Sequence, residues 1–230
     1  MRVRFHSCGT VVNPVYSIAG GIQMKKELTN RQRQAIETKE HIRESAWELF
    51  QSADIEQVTI AQICAAAHVS AGNFYHYYHS KEELFFENYP LLDEYVSNEF
   101  QAKNFKSNVD AIKDLICHEV AGAGRIGPHI LAQMLRIQLK QDERYPYMID
   151  DSRPFHICLK GLAQAGIDDG EFHPSYTAEE ITGTILRLSR GIGFDWAIRN
   201  GTYPINQQVE NDLDLLLRSF AFPKSIFENS

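Results

Sequence analysis

The stretch TIAQICAAAHVSAGNFYHYYHSKEEL, residues 59–84, contains three helix starts at short intervals. Two of them are capping boxes: Thr59 with Gln62, and Ser80 with Glu83. In a capping box the hydroxyl and the later side chain satisfy backbone N–H groups that the helix leaves without a partner. Ser70 starts a middle helix of about two turns, directly after a three-residue break. Two short helices joined by a tight turn predict a helix-turn-helix.

The composition limits the class of protein. The 230 residues suffice for a large apolar core, and no run of about eighteen apolar residues predicts a membrane span. Residues 1–30 are interpreted as a disordered extension or a mis-called start, because Met24 would make a natural start. Four widely spaced cysteines without a CxxC pair favour reduced thiols in a cytoplasmic protein: Cys8, Cys64, Cys117 and Cys158.

The distribution of charge permits a nucleic-acid partner. The net charge is −7, which by itself opposes binding to DNA. Residues 1–83 nevertheless hold nine basic and nine acidic side chains, so the whole negative excess lies in residues 84–230. The acidic part of the chain therefore need not approach the partner of the neutral part.

Apolar side chains recur at helical spacing along the chain, and strand signals are almost absent. Residues 31–53 are predicted to form a first helix, which completes a three-helix headpiece. Further helices are expected near residues 80–100, 106–121, 128–141, 153–166, 177–200 and 205–221, with a kink at Pro90 and breaks at the glycines of 122–127 and at Tyr145-Pro146. The predicted fold is all-α: an N-terminal headpiece with the helix-turn-helix, residues 31–80, and a larger C-terminal helical domain, residues 81–230.

The headpiece pattern closely resembles the TetR/AcrR family of transcriptional regulators. The matching residues are Thr59, Ile60, Ile63, Ala67, Val69, Ser70, Gly72, Phe74, Tyr75, Tyr77, Tyr78, Ser80, Lys81, Glu82 and Leu84. The resemblance covers about residues 36–86 and implies a DNA-binding homodimer, formed by the last two long helices, with an effector pocket inside the C-terminal domain. Ala71 and Asn73 depart from the family pattern, which often has a basic residue and a threonine there.

A recognition helix enters the major groove with its first residues, which must be small or polar. Asn73 is the best base-reading candidate, because an amide pairs bidentately with adenine. Phe74 and Tyr78 are interpreted as core. The residues predicted to contact DNA are Thr59, Ser70, Ala71, Gly72, Asn73, Tyr75, His76, Tyr77 and Lys81, of which Tyr75 and Lys81 rely on the resemblance for their phosphate-binding role.

The C-terminal domain is predicted to hold a small, apolar effector and the dimer interface. Candidate pocket residues are Cys117, His118, Met134, Gln138, Phe155, His156, Leu159, Phe194 and Trp196, although core packing explains each of them as well. Candidate interface residues are Ile181, Ile185, Leu188, Ile192, Val209, Leu213, Leu216, Leu217 and Phe220.

These features together predict a cytoplasmic, homodimeric repressor of a pseudo-palindromic operator that a small ligand releases from DNA. Two alternatives stay open: a regulator controlled by a protein partner or by cysteine oxidation, and a helical enzyme with a vestigial headpiece. The sequence shows no catalytic, cofactor or metal motif, and His68, His76 and His79 do not share a helical face. We therefore expect no enzymatic activity, no cofactor and no metal.

Overall fold

The computed structural model describes residues 29–86, 90–140 and 147–222. All regular elements in these ranges are helices, which confirms the predicted all-α class. The described residues divide into two compact units, 29–86 and 90–222. Apart from Thr29 and Asn30, the predicted extension lies outside the described residues, as does the predicted break at Tyr145-Pro146.

The first unit contains four helices. They are α1 (Asn30–Ser52), α2 (Ile60–Ala66), α3 (Ala71–Tyr77) and α4 (Lys81–Phe86). Thr29 and Thr59 each form a complete capping box, and the Ser70 hydroxyl accepts a hydrogen bond from the Asn73 N–H. The short middle helices therefore begin where the side-chain caps of the sequence place them.

Aromatic packing holds the first unit together. Ile42 and Phe50 of α1 are fully buried, as are Leu84, Phe85 and Phe86 of α4. The rings of Phe50 and Phe85 meet edge to face with their centroids 5.2 Å apart, a favourable arrangement for two aromatics. Because α4 packs on α1, the first unit extends beyond residue 80, where the sequence placed the boundary.

The second unit contains five helices in its described residues. They are α5 (Pro90–Asn98), α6 (Asn108–Leu139), α7 (Pro154–Asp168), α8 (Ala178–Ile198) and α9 (Ile205–Ser219), with a 3-10 turn at Phe100–Ala102. Helices α6 to α9 pack against one another around one continuous apolar core. Among the described helices, none is long and apolar enough to cross a membrane.

Helix α6 changes direction at Gly127. This residue has φ +84° and ψ 162°, and Pro128 follows it. A residue before proline is pushed out of the helical region, and glycine adopts a positive φ without steric cost. The sequence predicted a break within the glycines of 122–127, and the chain stays helical through Gly122 and Gly124 before it breaks at the last glycine.

The residues predicted to form the dimer interface belong to the core of the single chain. Seven are buried within the second unit: Ile181, Ile185, Ile192, Val209, Leu213, Leu217 and Phe220. Leu188 and Leu216 are partly buried against the same core. The strongest apolar stripe of α8 and α9 is thus buried against the other helices of the second unit, and a partner contact by any of these nine side chains stays a prediction.

Candidate nucleic-acid interface

A tight turn joins α2 to α3. The Val69 N–H donates to the carbonyl of Cys64 over 3.0 Å, and His68 adopts φ +52° between them. Ser70 then resumes an extended conformation and caps α3, its Oγ lying 3.1 Å from the Asn73 nitrogen. The break that the sequence predicted at residues 67–69 is thus a hydrogen-bonded turn that fixes α3 relative to α2.

Helix α3 presents its first turn to solvent. Ala71, Gly72 and Asn73 are exposed, and none of them carries a bulky side chain. Such a turn can approach the floor of a major groove closely, and the Asn73 amide is the group in it that can both donate to and accept from a base edge.

The aromatic residues of α3 divide between solvent and core. Tyr75 is 53% exposed, His76 is exposed and Tyr77 is half-buried, whereas Phe74 and Tyr78 are buried. The three outward side chains carry polar groups suited to phosphate oxygens or base edges. Phe74 and Tyr78 lie in the core, as the sequence suggested.

The buried aromatics fasten α3 to the rest of the unit. The ring centroids of Phe74 and Tyr78 are 5.8 Å apart, and the Tyr78 hydroxyl donates to the carbonyl of Lys39 in α1 over 3.4 Å. The Lys39 ammonium lies 5.4 Å from the centroid of the Tyr78 ring, within the range of a cation–π interaction. The exposed first turn of α3 is therefore presented by a helix anchored at its other end.

Thr59 is exposed at the start of α2, where its capping box is complete. The Gln62 N–H donates to its hydroxyl over 3.2 Å, and the Thr59 N–H donates to the Gln62 side chain over 2.8 Å. A phosphate contact by the Thr59 hydroxyl stays a prediction.

Lys81 has partners that the sequence did not predict. Its ammonium donates to the carbonyls of Ile55, Glu56 and Val58 in the connector between α1 and α2. The residue is half-buried at the first position of α4. The structure thus places Lys81 inside the framework of the unit.

The predicted pocket residues of the second unit lie at different depths. Met134, Phe155, His156, Leu159 and Trp196 are buried, and Cys117, His118 and Gln138 are partly buried. Phe194 is 50% exposed on α8, so its placement inside a pocket is not supported. The reason is its position on α8, where the neighbouring positions 192 and 196 face the core instead.

Three of the predicted pocket residues have polar side chains that already have partners in the protein. The His156 Nδ1 lies 2.6 Å from the carbonyl of Asp150, and the Trp196 Nε1 donates to the carbonyl of Tyr203 over 2.9 Å. The His118 ring stacks on Tyr95 with a centroid distance of 3.5 Å. Their described contacts are those expected of core packing, the alternative that the sequence left open.

The second unit contains a group of buried polar side chains that the sequence did not predict. Arg153 is buried, and its Nε lies 3.0 Å from a carboxylate oxygen of Asp93. Burial raises the pKa of Glu119 to about 7, although a hydrogen bond with Ser189 and the charges of Arg190 and Arg153 oppose the shift. These groups come from four elements, so no short motif reveals them.

Two described cysteines, one in each unit, have a raised thiol pKa and are therefore poor nucleophiles. Burial raises the pKa of Cys64, and burial followed by the charge of Glu210 raises the pKa of Cys117 to about 11. Because the thiolate is the reactive form, both thiols stay protonated near neutral pH.

An open groove of about 600 Å³ lies on the outer face of α8 and α9. Its lining mixes apolar and charged side chains: Arg187, Leu188, Gly191, Ile192, Asp195, Arg199, Thr202, Tyr203, Gln208 and Asp212. None of the nine predicted pocket residues lines it.

Comparison with known proteins supports the family resemblance that the sequence of the first unit indicated. Residues 42–87 match the profile of the family described as bacterial regulatory proteins, tetR family. The HTH-type transcriptional repressor KstR2 of Rhodococcus jostii (strain RHA1) is 22% identical over 180 residues, which are 76% of this chain and 87% of that protein.

Solved structures share the fold over most of the chain. The transcriptional regulator FadR from Bacillus subtilis, in complex with stearoyl-CoA, has a TM-score of 0.64 and 21% identity, and the match covers 77% of this chain and 97% of that one. Thermus thermophilus FadR, in complex with lauroyl-CoA, has a TM-score of 0.56 and 24% identity, with coverage of 78% and 93%. At these identities the likeness concerns the fold.

Proposed function

We propose, on the premise that this chain belongs to the TetR family of bacterial regulators, that it is a homodimeric repressor released from its operator by a ligand with a long apolar chain. The observation that carries the DNA-binding part is the first turn of α3, which is small, polar and exposed on a helix that the buried Phe74 and Tyr78 anchor. In a two-fold dimer, two such helices enter major grooves about one helical turn of DNA apart.

The test of operator binding is selection of duplexes from a random-sequence library, followed by footprinting on the selected sequence. We expect a protected dyad with half-sites about 34–36 Å apart, and an affinity that falls steeply with salt. A folded dimer that enriches no sequence at moderate salt would contradict the proposal.

We infer that the homodimer interface is formed by the outer faces of α8 and α9. Phe194 and Ile198 of α8 and Leu215 of α9 are large apolar side chains that are at least half exposed. On α8, Phe194 and Ile198 recur with the groove residues every three or four positions, and on α9 Leu215 does the same. Each helix therefore places these side chains on one face. An exposed apolar face of this kind, interrupted by charges that fix orientation, is typical of an interface between copies of one chain.

The nature of the effector is inferred from the fold relatives and from the core. Two of the solved structures hold stearoyl-CoA and lauroyl-CoA, and the second unit of this chain has a large core of aliphatic and aromatic side chains. The buried Arg153 and the partly buried Arg190 offer positive charge for the polar end of such a ligand. Binding releases DNA if the ligand prefers the conformation with the lower operator affinity.

Two measurements test the effector class. Mass spectrometry of the protein as purified identifies a retained ligand, and thermal unfolding with added acyl-CoA of increasing chain length reports binding. We expect long-chain acyl-CoA to raise the melting temperature and to weaken operator binding, and free CoA to do neither. Equal effects of free CoA and acyl-CoA would show that the apolar chain is not recognised.

Oxidation of Cys64 or Cys117 is disfavoured as the signal. The raised pKa values of Cys64 and Cys117 keep both thiols in the unreactive form. A regulator that responds to peroxide by loss of DNA binding, with a mass increase on Cys64 or Cys117, would contradict this assignment.

A further inference from the structure

We propose that Lys81 is a positioning residue, which holds the α1–α2 connector and the start of α2 in place, and is not a phosphate ligand. The inference rests on the proposed DNA-binding function. It concerns which side chains of the first unit touch the operator and which ones only set the geometry of those that do.

The hydrogen bonds of the ammonium group carry the inference. Lys81 Nζ lies 2.5 Å from the carbonyl oxygen of Ile55, 2.8 Å from that of Val58 and 3.3 Å from that of Glu56. An ammonium group has three hydrogens and no acceptor, so three carbonyl partners use its whole donor capacity. A phosphate oxygen could be bound only after one of these bonds had been broken.

The connector is shaped so that its carbonyls converge on Lys81. The N–H groups of Gln57 and Val58 both donate to the carbonyl of Asp54, over 2.8 and 3.2 Å, which closes a tight turn. The side chains of Ile55 and Val58 are 3% exposed and anchor the turn in the core. Without the ammonium, three carbonyls on one side of this turn would lose a charged donor.

The three hydrogen bonds of the Lys81 ammonium, called the clamp below, lie where the helix-turn-helix begins. Val58 directly precedes Thr59, whose capping box starts α2. At the other end Lys81 is the first residue of α4, a helix held by the buried Leu84, Phe85 and Phe86. The ammonium therefore ties the start of α4 to the start of α2, two points 22 residues apart in the sequence. Displacement of α4 would loosen the α2 start.

Two variants separate the two roles. Lys81→Met removes the charge and the donors, whereas Lys81→Arg keeps the charge and a good phosphate ligand but replaces a compact three-donor group with a longer planar one. The probe is a duplex that the wild-type protein selects from a random-sequence library, and its affinity is measured between low and moderate salt. Hydrogen exchange of the Gln62 and Ile63 amides, without DNA, reports the capping box directly.

If Lys81 is a clamp, both variants bind the duplex roughly tenfold more weakly at every salt concentration. The slope of log affinity against log salt stays unchanged, and the two amides exchange faster in both variants. A phosphate ligand gives a different result: Lys81→Arg binds like wild type, and Lys81→Met loses about 0.9 from the magnitude of the slope.

The second pattern overturns the inference, as does wild-type exchange of both amides in both variants. If Lys81→Met does not fold, Lys81→Arg still decides between the roles. If the wild-type protein selects no duplex at all, the proposed DNA-binding function fails, and the amide exchange still tests the clamp.

Discussion

Asn73 and Tyr75 are both exposed on α3, yet they offer DNA different chemistry. The amide can pair with an adenine edge, whereas the phenolic hydroxyl suits a phosphate oxygen. We expect Asn73→Ala to cost about 1–3 kcal/mol on the selected duplex and to relax the preference at one base pair of each half-site. Tyr75→Phe should weaken binding to all sequences alike. Repeating the library selection with each variant checks both, and an equal loss on every sequence for Asn73→Ala would refute its base-reading role.

Glu119 makes the stability of the second unit depend on pH. Burial raises its pKa to about 7, so the folded protein keeps a proton that the unfolded chain releases near pH 4.5. The free energy of unfolding therefore falls as pH rises between about 4.5 and 7, by up to about 3 kcal/mol. We expect Glu119→Gln, measured by urea unfolding, to be more stable relative to wild type at pH 8 than at pH 5.

The exposed Glu99 supplies the control, since Glu99→Gln removes a carboxylate from the same unit without touching a buried one. A Glu119→Gln variant whose difference from wild type is the same at pH 5 and pH 8 would show that Glu119 is ionised throughout this range.

Residue roles could be predicted where the cause is local. The capping boxes of Thr29 and Thr59 need only two side chains three positions apart, and the sequence displays that spacing. Lys81 and Glu119 owe their environments to residues 23–26 and 70 positions away, respectively, and the sequence does not display such contacts. The difference lies in the range of the interaction that fixes each side chain.

At the scale of elements, α7 ends in a turn in which the Phe172 ring packs closely against Gly166. The carbonyl of Gly166 accepts from the N–H groups of Glu171 and Phe172, while Gly170 supplies a φ of +75°. A Cβ on Gly166 would lie 2.6 Å from two ring carbons of Phe172, and that ring is buried beside Phe220. We expect Gly166→Ala to destabilise the second unit by about 1–3 kcal/mol in thermal or urea unfolding.

Gly161 provides a matched control on the same helix. Among the described residues, nothing lies within 4 Å of the Cβ that an alanine would add there, and the residue is exposed. Gly161→Ala should stabilise α7 by up to about 1 kcal/mol, because alanine is the better helix former. If both variants were stabilised to the same degree, the close contact with Phe172 would not be the cause.

The helix boundaries followed from the sequence where a cap or a turn residue marks them. Helix α8 was expected over 177–200 and spans Ala178–Ile198, with Thr177 as its cap. Helix α6 was expected as two helices and is one element with a kink, because only the glycine before proline leaves the helical region. The apolar stripes of α8 and α9 were also recognised correctly, but periodicity cannot tell a neighbouring helix from a partner chain.

At the scale of the whole molecule, the proposed dimer depends on side chains that the single chain leaves exposed. Leu215 on α9 is 70% exposed and shares the outer face of α8 and α9 with Phe194 and Ile198. A charge at the centre of such an interface is desolvated without a partner, which typically costs several kcal/mol. We expect Leu215→Glu to shift the protein from dimer to monomer in sedimentation at micromolar concentration.

Leu139 is the matched control, because it is 74% exposed at the end of α6 and does not line the groove of α8 and α9. Leu139→Glu adds the same charge at the same exposure and should leave the dimer intact. A monomeric Leu215→Glu variant should also lose most of its operator affinity while remaining folded, since each half-site is then bound without the other. If Leu215→Glu remains a dimer, the partner contacts another face, and the apolar side chains of α8 and α9 need a different explanation.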